Sequence, residues 1–162
     1  MNEASKFKKQ FYKRSTFVTH LPVDYQYSPS HGWACQIQPG IWRIGLTKFA
    51  TRMLGEMVDL GFDTCKGDAI EHGKILGWME GFKAISDLYS LVEGNLESIN
   101  QKLEGDMSQI SKQPYTEGWL YEAKGALEQR CMNVNSYAAL LDATIDKMLE
   151  QQEHEPESED TQ

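Results

Sequence analysis

Two apolar runs separated by a single lysine set the strongest constraint on this chain. Residues 75–79 and 88–92 are each short, rich in β-branched or aromatic residues, and bounded by Gly73 and Gly94. That pattern predicts a strand, a tight connection and a second strand. Lys83 then stands at or near the tip of a hairpin. An exposed lysine is commonly a solvated charge. It is also an ε-amine on a rigid turn, reachable by a modifying enzyme and able to carry a prosthetic group on a flexible stem. Lysine is depleted in strands and contributes nothing to a core, so the fold alone does not call for one here.

The length of 162 residues suits one domain with a real core and two tails. A net charge of −8 gives a nucleic-acid role no electrostatic support. No apolar run approaches the length of a membrane span, and the N-terminus holds no apolar signal-peptide core. The three cysteines, Cys35, Cys65 and Cys131, form no CxxC pair, and the four histidines show no ligand spacing. Reduced thiols in an intracellular, metal-free protein are the expectation.

Along the chain, residues 1–24 read as a basic extension. Lys6, Lys8, Lys9, Lys13 and Arg14 face one acid, Glu3. A solvated tail, an added helix, a docking patch and a targeting peptide all fit that bias. Residues 22–29 read as an extended lead-in, and 34–37 and 41–46 as strands joined by Gln38-Pro39-Gly40. A short helix follows, with Thr47 as its N-cap and Gly55 as its stop. Residues 57–62 are another strand and 63–68 a turn. Residues 92–100 alternate apolar with polar, 103–111 are polar and loop-like, and a last strand runs from Trp119 to Lys124. Tyr137, Leu140, Leu141, Ile145, Met148 and Leu149 recur at helical spacing, with Asn135 or Ser136 as cap. Residues 150–162 hold six acids and no bases, which reads as a disordered acidic tail. The organisation is therefore 1–24 extension, 25–125 domain, 126–149 helical region and 150–162 tail. The opposite charges of residues 6–14 and 150–160 make a contact between the two ends an expectation.

Several blocks resemble one family. Glu80-x-x-Lys83-Ala84-x-x-Asp87-x-Tyr89-Ser90 resembles the E-S-V-K-A-x-S-D-x-Y-S lipoylation segment of glycine cleavage system H proteins. Tyr27-Ser28-Pro29-Ser30-His31-Gly32-Trp33 is similar to their Y-x-x-x-H-E-W opening. Gly45-Leu46-Thr47-x-x-Ala50-x-x-x-Leu54-Gly55 matches the G-I-T-x-x-A-x-x-x-L-G block. Pro114-Tyr115-x-x-Gly118-Trp119-Leu120 matches P-Y-x-x-G-W, and Ala139-Leu140-Leu141-Asp142-Ala143 is similar to the family's closing helix. The blocks keep the family's order over about residues 27–124, and more weakly to 149.

The resemblance implies a mainly β, lipoyl/biotinyl-type barrel-sandwich hybrid of two small antiparallel sheets, with peripheral helices and a C-terminal helix. Short strands and glycine turns agree independently. It implies a non-catalytic carrier with lipoate attached to Lys83. Glu80 and Asp87 would be read by the lipoate ligase or lipoyl transferase. The implied partners are glycine decarboxylase, aminomethyltransferase and dihydrolipoyl dehydrogenase, with neither nucleic acid nor membrane involved. The implied location is a bacterial cytoplasm, or a mitochondrial matrix in a eukaryote. A biotin carrier is disfavoured because Phe82 and Ala84 replace the methionines of A-M-K-M.

The departures fall in the cleft that shields the loaded amine in the family. Ser30 and Asp87 remain, but Gly32 replaces the glutamate of H-E-W and Met53 replaces a histidine. Leu91 replaces a proline, and Phe82 replaces a small aliphatic residue. A carboxylate near an amine favours its charged form, so the loss of the glutamate bears on cargo. Three readings stay open: an H protein, an H-like carrier or lipoyl relay for 2-oxoacid dehydrogenases or sulfur oxidation, and a non-lipoylated interaction module.

Overall fold

The computed structural model describes residues 7–154. Eleven strands and three α-helices follow in the order β1 (Lys9–Arg14), β2 (Phe17–Pro22), β3 (Gln26–Tyr27), β4 (Gly32–Gln38), β5 (Ile41–Leu46), α1 (Lys48–Leu54), β6 (Met57–Phe62), β7 (Ala69–Ile70), β8 (Ile75–Gly81), β9 (Ile85–Tyr89), β10 (Val92–Ile99), α2 (Gln109–Lys112), β11 (Tyr121–Leu127) and α3 (Val134–His154). A six-stranded sheet has the order β3-β4-β5-β11-β10-β7, and a three-stranded sheet the order β6-β8-β9. Every pairing is antiparallel. The two sheets enclose an aliphatic core that includes Leu76, Met79, Leu88, Val92, Leu96 and Leu120. This is the expected mainly β sandwich with a C-terminal helix.

The apolar pattern explains the register. Leu76, Met79 and Leu88 face inward from β8 and β9, while Trp78 and Ile85 stay exposed. The second strand of the lysine hairpin ends at Tyr89 rather than running through Val92. Ser90 interrupts it: its hydroxyl donates to the Val92 carbonyl at 2.7 Å and accepts from the Val92 amide. Val92 therefore opens β10.

Residues 9–22 are neither a solvated tail nor a helix. They form a β-hairpin, β1–β2, with Lys9 opposite Pro22 and Arg14 opposite Phe17. Phe17, Thr19 and Leu21 are buried while Val18 and His20 are exposed, the alternation of a strand with one face covered. That face joins a second, aromatic core with Tyr27, Trp33, Phe49, Tyr137 and Leu141. Arg14 pairs with Asp146 of α3 through two nitrogens, at 3.0 and 2.6 Å. Tyr12 donates to Asp142 at 2.8 Å. The basic N-terminal segment thus meets acids of the helix. The expected contact with residues 155–160 lies outside the described residues.

Further boundaries differ from expectation. Residues 101–104 form a 3-10 turn and Gln109–Lys112 a short helix, overlapping the two ends of the stretch 103–111 read as loop. The last strand is Tyr121–Leu127. The cap of α3 is Asn133, whose side chain accepts from the Ser136 amide at 2.9 Å. The helix continues to His154, so residues 150–154, read as the start of the tail, are helical. Residues 155–162 lie outside the described residues.

Candidate functional site

Lys83 sits in the three-residue turn Phe82-Lys83-Ala84 between β8 and β9. The turn is seated on the end of α1. The Lys83 amide donates to the Leu54 carbonyl at 2.8 Å, and the Phe82 amide donates to the Glu56 carbonyl at 3.0 Å. The Gly81 amide closes the turn on the Ala84 carbonyl at 2.9 Å. Leu54 is the last residue of a helix whose final carbonyls lack helical partners. The turn satisfies one of them.

Two glycines make that seat possible. A Cβ on Gly81 would lie 2.1 Å from the Leu54 carbonyl oxygen. Gly55 ends α1 with φ of 81°, in the region that favours glycine, and a Cβ there would touch the Lys83 amide at 3.0 Å. At the other end of α1, Thr47 caps the helix by accepting from the Ala50 amide at 3.3 Å. The block around α1 thus fixes the helix whose end carries the lysine turn.

The Lys83 side chain is exposed, as are Phe82 (77 %) and Ile85 (73 %) on either side. Its Nζ lies 3.4 Å from the Arg52 carbonyl. Lys83 borders two grooves. One, of about 390 Å³, lies between α1, the β1–β2 turn and the end of α3, with Phe17, Phe49, Met53 and Met148 among its lining residues. The other, of about 360 Å³, lies toward α2 and is lined by Lys48, Arg52, Lys112 and Glu56 among others.

Ser30 and Asp87 come together in a third, smaller pocket of about 120 Å³, which Gly32 and Leu91 also line. Asp87 is the only carboxylate in that lining. Ser30 Oγ lies 2.7 Å from Ser28 Oγ. Glu80 does not join this pocket. It is directly opposite Ile85 on the hairpin, as Trp78 is opposite Asp87, so Glu80 and Asp87 lie on one face of the three-stranded sheet.

His31 is structural, as its place between strands requires. Its φ of 72° is a turn conformation, and its amide donates to the Ser28 carbonyl. Its Nδ1 lies 2.9 Å from the Tyr137 hydroxyl, which is 3.0 Å from Thr47 Oγ1. Thr47 Oγ1 in turn donates to the His31 carbonyl at 2.9 Å. One proton per group closes this ring if Nδ1–H donates to Tyr137 and Tyr137 donates to Thr47. Burial pulls the His31 pKa down to about 4, keeping the ring neutral.

The sequence reading did not anticipate Arg52, the Gly55–Gly81 seat or the wall that β1–β2 adds beside Lys83. The hairpin's signal was present in the alternation Phe17-x-Thr19-x-Leu21, beneath the run of basic residues.

Comparison with known proteins agrees with this geometry. The family model described as "Glycine cleavage H-protein" matches residues 25–150. The glycine cleavage system H protein of Corynebacterium aurimucosum is 36% identical over 126 residues, 75% of this chain and 96% of that protein. The H protein of Corynebacterium jeikeium is 34% identical, covering 75% and 98%. The crystal structure of a glycine cleavage system H protein from Mycobacterium marinum superposes with a TM-score of 0.67 at 27% identity, covering 74% of this chain and 97% of that one. The β1–β2 hairpin and residues beyond 150 fall outside the family match. With the match spanning the lysine hairpin, the sandwich and most of α3, this chain belongs to the glycine cleavage H-protein family.

Proposed function

We propose that Lys83 carries a lipoyl group in amide linkage, and that the chain uses this arm as the aminomethyl carrier of the glycine cleavage system. The observation that carries the reading is an exposed ε-amine at the tip of a turn pinned by backbone hydrogen bonds to α1, inside the matched family segment. Members of this family are non-catalytic carriers, and the chain is one of them. The residues around Lys83 fit the group. The amine is in no ion pair among the described residues, and its backbone is fixed while its exposed Nζ makes one long hydrogen bond, to the Arg52 carbonyl at 3.4 Å. Amide formation removes the lysine charge beside Arg52. When bound, the lipoyl group supplies a dithiol–disulfide couple able to hold a group on one sulfur.

The chain's own residues present and shelter that arm. Glu80 and Asp87, on one face of the hairpin, flank the lysine for a lipoate ligase or lipoyl transferase to read. Asp87, with Ser30 in the same pocket, offers a carboxylate to a protonated amine. The partners are then glycine decarboxylase, aminomethyltransferase and dihydrolipoyl dehydrogenase. A cytoplasmic location follows if the source is bacterial. No helix among the described residues is long and apolar enough to cross a membrane.

The test is glycine-dependent exchange of labelled bicarbonate by glycine decarboxylase, with the lipoylated chain as the only carrier. Exchange that needs both lipoylation and glycine supports the reading. A lipoylated chain inert in that exchange contradicts the cargo assignment.

A further inference from the structure

We propose that the β1–β2 hairpin completes a groove that holds the uncharged lipoyl arm, with Phe17 of the hairpin, Met53 of α1 and Met148 of α3 against the dithiolane ring. The inference deepens the reading of Lys83 as the lipoylated residue and rests on it. It gives a role to a hairpin that lies before the family match.

Three spaces could receive an arm on Lys83, and their linings separate them. The pocket of Ser30 and Asp87, at about 120 Å³, is smaller than the range of about 300–1,000 Å³ usual for small-molecule sites. The groove toward α2 is large enough, at about 360 Å³, but no large apolar side chain lines it. The groove against the hairpin, at about 390 Å³, is lined by Phe17, Phe49, Met53, Ile145, Met148 and Leu149, together with Lys83 itself. An arm on this lysine therefore starts inside the groove. Amide formation leaves it uncharged, a run of methylenes ending in a sulfur ring, and such a group gains by leaving water for an apolar lining. Sulfur also makes favourable contacts with aromatic rings, which Phe17 and Phe49 supply. Met53 and Leu149, on two different helices, are 46 % and 38 % exposed. One arm laid along the groove covers both.

The hairpin is a fixed wall. Its Phe17 ring packs edge-on against Phe49, with the Arg52 guanidinium 5.9 Å from its centre. Tyr12 and Arg14 tie it to Asp142 and Asp146 of α3. A groove set in this way loses little freedom when it is filled. Its lining also selects the state of the arm. Arg14 and Arg52 line it and no carboxylate does. It therefore suits the arm before it carries an amine, whereas a protonated amine finds its carboxylate in the pocket of Asp87.

The methionines supply the test. Met53 and Met148 line the hairpin groove, Met79 lines the Asp87 pocket, and Met107 lines neither. The full chain, with isotope-labelled methionine methyl groups and phenylalanine rings, is lipoylated to one added group by intact mass and compared by NMR with the unmodified chain. The Met53 and Met148 methyl resonances shift, while those of Met79 and Met107 stay in place. The dithiolane protons show nuclear Overhauser contacts to both shifted methyls and to the Phe17 ring. Contacts to Met79 instead, or to none of these groups, overturn the proposal. Contacts to Met53 and Met148 without Phe17 overturn the hairpin's part in it.

A second measurement reads the cover. A water-soluble phosphine reduces the lipoyl disulfide about three- to tenfold faster in the Met53→Ser, Leu149→Ser double variant than in the unaltered chain. Ile37→Ser is the control, an exposed apolar residue that lines none of the three spaces. Equal rates in all three proteins contradict the proposal. A ligase that modifies none of them counts against Lys83 as the lipoylation site. Free lipoamide titrated onto the unmodified chain then decides the groove: saturating shifts at Met53 and Met148 support it, and unmoved resonances overturn it.

Discussion

A Cβ added to Gly32 would lie 3.2 Å from Leu91 Cδ1, so these two positions share one space beside Asp87. In the family pattern that this sequence resembles, Gly32 takes the place of a glutamate and Leu91 that of a proline. Leu91 Cδ1 stands at the edge of the space into which a side chain at position 32 would project. Side chains at positions 32 and 91 therefore compete for one space.

Gly32→Glu alone overfills the pocket and destabilises the protein by about 1–3 kcal/mol. In a Leu91→Ala background the same substitution costs less, by a coupling of about 0.5–3 kcal/mol. Alanine is the informative partner because the Leu91 amide donates to the Tyr121 hydroxyl at 3.1 Å, a bond proline cannot make. Denaturant unfolding of the four proteins in this cycle measures the coupling, and additive effects refute it.

The Gly81 seat predicts a separate effect on modification. Gly81→Ala forces the hairpin tip off the Leu54 carbonyl and costs about 1–3 kcal/mol. Displacing the lysine turn lowers its rate of enzymatic lipoylation on the order of tenfold to a hundredfold. Gly105→Ala is the control, since a Cβ there meets nothing closer than 3.8 Å. Equal lipoylation rates for the two variants refute the role of the seat.

His31 sets an acid limit to stability. Its folded pKa, pulled down to about 4 by burial, lies below the ordinary histidine value of about 6.5. The unfolded chain takes up the proton first as pH falls. The contribution is complete above about pH 6.5 and is lost progressively toward pH 4, by up to about 3 kcal/mol. His31→Asn keeps a residue that tolerates the positive φ and removes this pH dependence. Unfolding free energies between pH 7 and pH 4 test it, and parallel curves for the two proteins contradict it.

Phe17 anchors the N-terminal hairpin by packing edge-on against Phe49, with ring centres 5.5 Å apart, and beneath the Arg52 guanidinium. Phe17→Ala costs about 3–5 kcal/mol at this site. The hairpin opens locally, so amides of β1 and β2 exchange hydrogen faster while those of β4, β5 and β11 keep their protection. Uniform loss of protection contradicts a separate hairpin unit.

Period-two patterning and glycine turns made the sandwich legible in the sequence, and the lone lysine between two strands marked the site. Thr47 and Gly55 marked both ends of α1, because caps are local chemistry. The hairpin β1–β2 was hidden because the basic run of residues 6–14 overlaps its first strand, placing Lys9, Lys13 and Arg14 there, while three alternating residues, Phe17, Thr19 and Leu21, carry the burial. The seat of Lys83 on Leu54 was not legible either. It joins backbone groups far apart in sequence, and no local pattern encodes such a contact. Nor did spacing reveal that Glu80 and Asp87 share a sheet face while only Asp87 reaches the pocket with Ser30. That follows from β9 being the edge strand.

The central claim is that Lys83 is the attachment point of a lipoyl arm. Intact mass after incubation with lipoate-protein ligase, ATP and lipoate tests it directly, with Lys83→Arg as control. The account predicts one added lipoyl group on the chain and none on the variant. No addition under conditions that modify another H protein, or addition that persists in Lys83→Arg, would contradict it.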